Sequence, residues 1–254
     1  MKKLVRLVLT LSVYGMLYLP MVILMLYSLN KAKYSLQWHG LSTHWYQELF
    51  TDYDLWHAFL NSLGLGLLTA FIATLIGLLA CVQLFLHARN KHNSLYHLLM
   101  VLIIIPDLVL GIALLVFFNL IDFPLGFLSL LLAHITFCLP FVVLTIHTRI
   151  KTFNQDIYFC ALDLGASRTK ALTRILMPLL WPAVLSAALL SFTLSFDDVV
   201  ISYFVAGPEY SVLPLTIYSL VRAGITPELN ALCTLIFGMS VLLVLCAHRL
   251  SRQS

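Results

Sequence analysis

The sequence predicts an all-α, polytopic membrane protein, and three observations carry that prediction. Hydrophobic residues make up 61% of the 254 residues and charged residues only 10%, against roughly 45–50% and ~25% in soluble chains. Mean hydropathy is +0.97. The apolar residues fall in runs long enough to cross a bilayer, with Lys and Arg clustered in the intervals between them. A water-soluble globule cannot carry that much apolar surface, so a soluble enzyme and a nucleic-acid module are excluded. Residues 1–254 are expected to form a single transmembrane domain.

A spanning helix needs about 20 apolar residues, because each advances the chain ~1.5 Å across a ~30 Å hydrocarbon core. Six transmembrane helices are read, at roughly 7–29, 60–86, 96–118, 126–148, 181–205 and 229–248. The first follows Lys2, Lys3 and Arg6 as a signal peptide would. Its apolar run is too long for an h-region and no cleavage site follows, so it reads as an uncleaved anchor. Along the second span, Gly66, Ala70, Ala73, Thr74, Gly77 and Ala80 recur on related turns, where small residues let membrane helices approach closely. The run 96–148 is too long for one crossing, and Asp122-Phe123-Pro124-Leu125-Gly126 has the turn chemistry to divide it.

The charges fix the expected orientation. With the N-terminus inside, twelve basic residues lie in inner segments: Lys2, Lys3, Arg6, Arg89, Lys91, Arg149, Lys151, Arg168, Lys170, Arg174, Arg249 and Arg252. Only Lys31, Lys33 and Arg222 lie outside. That bias predicts both termini in the cytoplasm. Cys81, Cys138, Cys233 and Cys246 sit in apolar runs and Cys160 in a basic loop; all five are read as reduced thiols.

The inner loop 149–180 reads as two short amphipathic helices. The first covers about 155–164, and Gly165 suits the left-handed position that ends it. Ser167 caps the second, in which Ala171, Leu172, Ile175 and Leu176 share one face and Lys170 and Arg174 another. Pro178 is expected to stop it, and Pro182 to open the next span. Such a loop suits either a stiff elbow that receives force from a docked protein or a helix pair lying on lipid headgroups.

The residues themselves resemble a known family. Ala161-Leu162-Asp163-Leu164-Gly165-Ala166-Ser167, followed by Ile175-Leu176-Met177-Pro178, resemble the EAA loop of ABC importer permeases, the binding-protein-dependent inner-membrane components. The stretches 129–143, 190–200, 213–221 and 226–232 are similar to the spermidine/putrescine branch of that family. One departure stands out: Phe159-Cys160-Ala161 occupy the place of the Glu-Ala-Ala triplet, so no ionic contact is carried over to position 159. The resemblance implies a type I ABC importer permease (MetI-like) fold in a bacterial inner membrane. It implies Ala161, Asp163, Gly165, Ala166, Ser167 and Pro178 as the ATPase-coupling loop. It implies four kinds of contact: a second homologous permease subunit, a cytoplasmic ATPase dimer, a periplasmic polyamine-binding protein and membrane lipid. ATP and Mg would be bound by the partner ATPase, with no cofactor in this chain and no catalysis by it.

Asp107, Asp197 and Asp198 fall within apolar spans. A carboxylate at mid-bilayer costs about 2.5–3.5 kcal/mol on insertion scales, so such residues face a cavity or a partner. Pro106 precedes Asp107, which suggests a kink beside a polar cavity, about 16 Å into the span. Asp197 and Asp198 point about 100° apart on a helix, so one of them lines a pathway and the other binds backbone amides or a neighbouring subunit. Capping or inter-subunit pairing is the competing reading for all three. The polyamine branch gives the pathway reading its chemistry: spaced carboxylates and aromatic faces replace water around ammonium groups. Tyr203, Tyr218 and Phe196 are candidate aromatic partners, and Arg222 is assigned to an interface because it repels a polycation.

Other signals are set aside. His39, His44 and Glu48 lack a compact zinc spacing. His87, His92 and His97 rotate around a helix. His134 is read as bonding a neighbouring helix, and no Gly-rich phosphate loop or nucleophile–base pair is present. The expected function is translocation of polyamines delivered by a binding protein. A related importer for ferric iron or thiamine and an ion-coupled secondary transporter remain alternatives.

Overall fold

A computed structural model describes residues 2–32, 37–86, 94–154, 156–224 and 226–251. Lys33, Arg89, Lys91, Arg252, His87 and His92 lie outside the described residues. Among those described, every regular element is helical: α1 Lys2–Tyr27, α2 His44–Thr51, α3 Tyr53–Leu86, α4 Ser94–Ile104, α5 Asp107–Leu120, α6 Phe127–Thr152, α7 Asp156–Asp163, α8 Arg168–Ala171, a π-helical turn Leu172–Leu176, α9 Met177–Phe196, α10 Val200–Val205, α11 Leu213–Ala223 and α12 Pro227–Ser251. Among the described residues, four helical stretches are long and apolar enough to cross a membrane, and the bent pair α4–α5 makes a fifth. The sixth expected segment lies within the 25 residues of α12.

The chain divides into two compact units, Met1–His57 with Thr216–Ser254, and Ala58–Leu215. In the first, α12 packs on α1 and α2. α1 exposes Leu9, Leu11, Met16 and Leu17 around its circumference, the pattern of a helix whose surroundings are as apolar as its own side chains. After α1, buried Asn30 organises the connection. Its carbonyl accepts Trp45 Nε1–H at 2.7 Å, its Oδ1 accepts the His39 amide at 2.9 Å, and its Nδ2 donates to the Gln37 carbonyl at 2.9 Å.

In the second unit α6 packs against α9. One core cluster includes Cys81, Val142, Ile146, Tyr158, Ala171, Leu176 and Leu180, and another includes Leu65, Leu110, Leu130, Ile201 and Val205. The small residues of α3 serve close approach within the chain. A methyl added at Gly77 would stand 2.5 Å from Val142 Cγ1, and one at Gly66 would stand 3.1 Å from the Phe192 ring. The expected division of 96–148 is present, with α5 ending at Leu120 and α6 starting at Phe127. Asp122 adopts φ 51° in the turn, and Ser129 Oγ donates to the Val205 carbonyl at 2.7 Å.

Three helix boundaries depart from expectation, and each has a local cause. The span 96–118 is broken between Ile104 and Asp107 with a 109° bend, rather than kinked. Pro106 has no N–H and disfavours helical geometry at Ile105; it takes ψ 139° and its carbonyl starts a new helix by accepting from Val109 and Leu110. The count of 16 Å for the depth of Asp107 assumed a straight helix and does not hold. The span 181–205 is likewise two helices, interrupted at Asp197-Asp198-Val199. Finally, Pro178 stops nothing and Pro182 opens nothing, since helix runs from Arg168 to Phe196. The wide turn Leu172–Leu176 lies just before Pro178, with the Met177 amide reaching back to the Leu172 carbonyl. An extra residue in that turn lets the chain pass a proline that has no amide to give.

Candidate functional site

The elbow is built from its caps. α7 ends in a Schellman motif: the Ala166 amide bonds the Ala161 carbonyl at 3.0 Å and the Gly165 amide bonds that of Leu162 at 2.9 Å. Gly165 takes φ 89°, a conformation that a Cβ penalises. Ser167 Oγ then accepts the Lys170 amide at 3.4 Å and starts α8. The expected faces are present: Ala171 and Leu176 are buried, Leu172 and Ile175 half-buried, and Lys170 and Arg174 exposed. Aromatic packing holds the elbow to α3. Phe85 meets Tyr158 edge-on at 5.2 Å and lies 6.3 Å from Phe153 and 6.2 Å from Phe159.

The outward side of the elbow is apolar. Leu164 is 88% exposed, Phe159 49% and Ile157 47%, with Cys160 and Asp163 exposed beside them. Ala161 and Ala166 are half-buried, and Gly165, Ser167 and Pro178 are exposed. Phe159 extends the aromatic cluster instead of offering a charge.

The carboxylates fall into different surroundings. Asp107 is exposed in the first turn of α5, one helical turn before Gly111. Gly111 is where α5 meets α10: a methyl there would lie 2.8 Å from the Phe204 ring and 3.4 Å from Ile201 Cα. Asp107 therefore shares the α10-facing side of α5. Asp197 caps α9 with its amide on the Thr193 carbonyl at 3.2 Å, and it is exposed. Asp198 is only 9% exposed. Its Oδ1 accepts the Ile201 amide at 3.2 Å, and its Oδ2 accepts the Ser202 amide at 2.8 Å and the Ser202 hydroxyl at 3.0 Å. Three of its acceptor sites are taken by α10, and His134 Nε2 stands 3.4 Å from Oδ2.

Of the aromatic candidates, Tyr203 is exposed and packs edge-on against Phe204 at 5.5 Å. Phe196 stacks on Phe192 at 5.5 Å and meets Phe59 edge-on at 6.2 Å. In the other unit the Arg222 guanidinium lies 5.6 Å over the Tyr218 ring. His44 and Glu48 form an exposed pair at 3.6 Å, one turn apart on α2.

His134 bonds neighbouring helices as its place in an apolar span led us to expect, but the partners it gathers were not foreseen. His134 of α6 is fully buried between Ser195 of α9 and Ser202 of α10, with Asp198 beside it. A signal was available: Ser191, Ser195, Asp198 and Ser202 recur at helical spacing through an apolar run, and a histidine lies in the preceding span. Cys81, Cys138, Cys160 and Cys233 are free thiols; the Cys246 side chain lies outside the described residues.

Comparison with known proteins gives one family and a consistent set of relatives. The profile of the binding-protein-dependent transport system inner membrane component family matches residues 73–253. The spermidine/putrescine transport system permease protein PotC of Escherichia coli strain K12 is 43% identical over 242 residues, covering 95% of this chain and 92% of that protein. The putrescine transport system permease protein PotI of the same strain is 38% identical over 240 residues, covering 92% and 85%. A solved chain of a bacterial ABC transporter that imports the acidic polysaccharide alginate shares the fold, with TM-score 0.76 at 16% identity, over 98% of this chain and 95% of that one.

Proposed function

Because this chain belongs to the binding-protein-dependent transport system inner membrane component family, we propose that it is the permease subunit of an ATP-driven importer of polyamines, spermidine or putrescine. The observation that carries this reading is 43% identity over 95% of the chain to a spermidine/putrescine permease. The chain is a multi-pass inner-membrane protein, a single transmembrane domain with both termini in the cytoplasm. It works beside a second permease subunit, a cytoplasmic ATPase dimer that binds ATP and Mg, and a periplasmic polyamine-binding protein.

The proposed mechanism is alternating access. The ATPases seat the exposed side of α7 and the turn at Gly165; their closure displaces the elbow and opens the route outward, and hydrolysis resets it inward. Asp107, Asp197 and Tyr203 face the cargo. Exposed carboxylates replace water around ammonium groups through charge-assisted hydrogen bonds, and Tyr203 adds a π face. Asp198, occupied by α10, holds Asp197 in place.

The test is uptake of radiolabelled spermidine by proteoliposomes carrying this chain with its permease partner, ATPase and binding protein. ATP-dependent uptake, competed by putrescine but not by thiamine or ferric iron, is expected. Absence of ATP-dependent uptake, or equal uptake by this chain alone under a cation gradient, refutes the reading.

A further inference from the structure

His134 is a buried imidazole in an apolar span, a position tolerable only when both ring nitrogens find partners. Both do. Nδ1 lies 2.7 Å from Ser195 Oγ, while Nε2 lies 3.1 Å from Ser202 Oγ and 3.4 Å from Asp198 Oδ2. Ser195 belongs to the last turn of α9 and Ser202 to α10. One ring therefore bridges both sides of the break at Asp197-Asp198-Val199.

The hydrogen bonds assign the tautomer. Ser202 Oγ donates to Asp198 Oδ2, which uses the single hydroxyl proton. Toward His134 the same oxygen can only accept, so the ring proton sits on Nε2, with Asp198 Oδ2 3.4 Å away. In the neutral ring, Nδ1 then accepts the Ser195 hydroxyl. The imidazole thus donates to the hydroxyl that itself donates to Asp198, and Asp198 in turn holds the first amides of α10.

The position of this cluster matters as much as its chemistry. α6 leads into the elbow and α9 leads out of it. His134 lies 18 residues before the end of α6, and Ser195 lies 18 residues after the start of α9, about 27 Å of helix in each case. The two helices that frame the elbow are joined again at its far side by one side chain.

We propose that His134 is a positioning residue, a hydrogen-bonded clamp that ties α6 to the α9–α10 break and so delivers displacement of the elbow to Asp197. The proposal rests on the reading of the elbow as the ATPase seat and of Asp197 as cargo-facing. Without the clamp, elbow motion slides α9 along α6 while the break relaxes, and ATP is hydrolysed without moving cargo.

The test compares His134→Leu, His134→Asn and His134→Gln in the assembled transporter. Gln places an amide donor near the former Nε2, toward Ser202 and Asp198; Asn is too short to do so. Expected is at least half of wild-type spermidine uptake for Gln. Asn and Leu lose uptake at least tenfold, with ATP hydrolysis within twofold of wild type, so cargo moved per ATP falls. A second readout needs no cargo: amide exchange across residues 198–203 accelerates at least tenfold in Leu and Asn, and not in Gln. Unchanged exchange in the Asn variant, or unchanged cargo per ATP, overturns the clamp. If Leu fails to assemble, Asn against Gln decides, and identical behaviour of the two overturns it. If the wild-type complex takes up no spermidine, the polyamine reading fails, while the exchange measurement still decides the clamp.

Discussion

At the scale of single residues, the roles proposed for Asp197 and Asp198 are two tasks that one carboxylate in an apolar span cannot do together. A carboxylate that holds cargo needs free acceptor sites; a carboxylate that closes a helix end has spent them. Asp198 accepts three hydrogen bonds within α10 and lies beside His134, whereas Asp197 is exposed. Removing the buried acceptor strands two amides and a hydroxyl, and a buried unsatisfied group costs about 1–3 kcal/mol. Asp198→Ala is therefore expected to lower the thermal unfolding midpoint in detergent by several degrees. Asp197→Asn is expected to leave that midpoint within one or two degrees and to lower spermidine uptake about tenfold or more. Equal midpoints for the two variants would refute this division of labour. That the two would differ was expected from a 100° step on a continuous helix, but the helix is interrupted at Asp197-Asp198-Val199, so the difference comes from the break and not from helical phase. Which aspartate does which was not legible, because the choice depends on where the helix breaks and on a histidine more than sixty residues away.

At the scale of elements, prolines and glycines show what local chemistry settles and what it leaves to context. Pro106 and Pro178 both lack an amide, yet one ends a helix and the other passes through. Before Pro106 the chain turns extended and bends by 109°; before Pro178 a π turn supplies an extra residue. No pattern of apolar residues distinguishes these outcomes, because both prolines lie within apolar runs. The elbow was more legible, since Gly165 and Ser167 are caps with their own physical demands and both adopt them. Close approach between α3 and α6 gives a test at this scale. A Cβ at Gly77 meets Val142 at 2.5 and 3.2 Å, and Val142 is fully buried and branched, so it cannot swing away. Gly77→Ala should destabilise by about 1–3 kcal/mol through overpacking. Adding Val142→Ala should recover much of that loss, because the two changes share one space. Gly66→Ala, facing only the edge of the Phe192 ring, should cost less. Additive unfolding midpoints for Gly77→Ala and Val142→Ala would refute the contact.

At the scale of the whole molecule, composition and charge carried the class, and the spacing of caps in one loop carried the family. The expected six segments and the expected twelve-to-three division of Lys and Arg rest on the requirement that lipid-exposed backbone be helical and that basic loops stay inside. Only broken spans and the cross-helix polar cluster lay beyond that logic, since both depend on which helices become neighbours. Sidedness and docking converge on one atom that can be probed directly. Cys160 carries an exposed thiol on the outward side of the elbow, while Cys81 and Cys138 are fully buried. In a background with Ser at 233 and 246, a membrane-impermeant maleimide should label Cys160 in inverted vesicles stripped of the ATPase. It should not label Cys160 in right-side-out vesicles, because the proposed topology puts the elbow on the inner face. Returning the ATPase to stripped vesicles should then suppress labelling at least tenfold, since the surface formed by Ile157, Phe159 and Leu164 would be covered. Substituting Phe159→Ala should weaken that protection by removing an apolar contact, and the effect should change little with salt, because position 159 has no charge to screen. Labelling from the outer face would reverse the assigned topology. Labelling that the ATPase leaves untouched would keep the topology and remove the elbow as the seat of coupling.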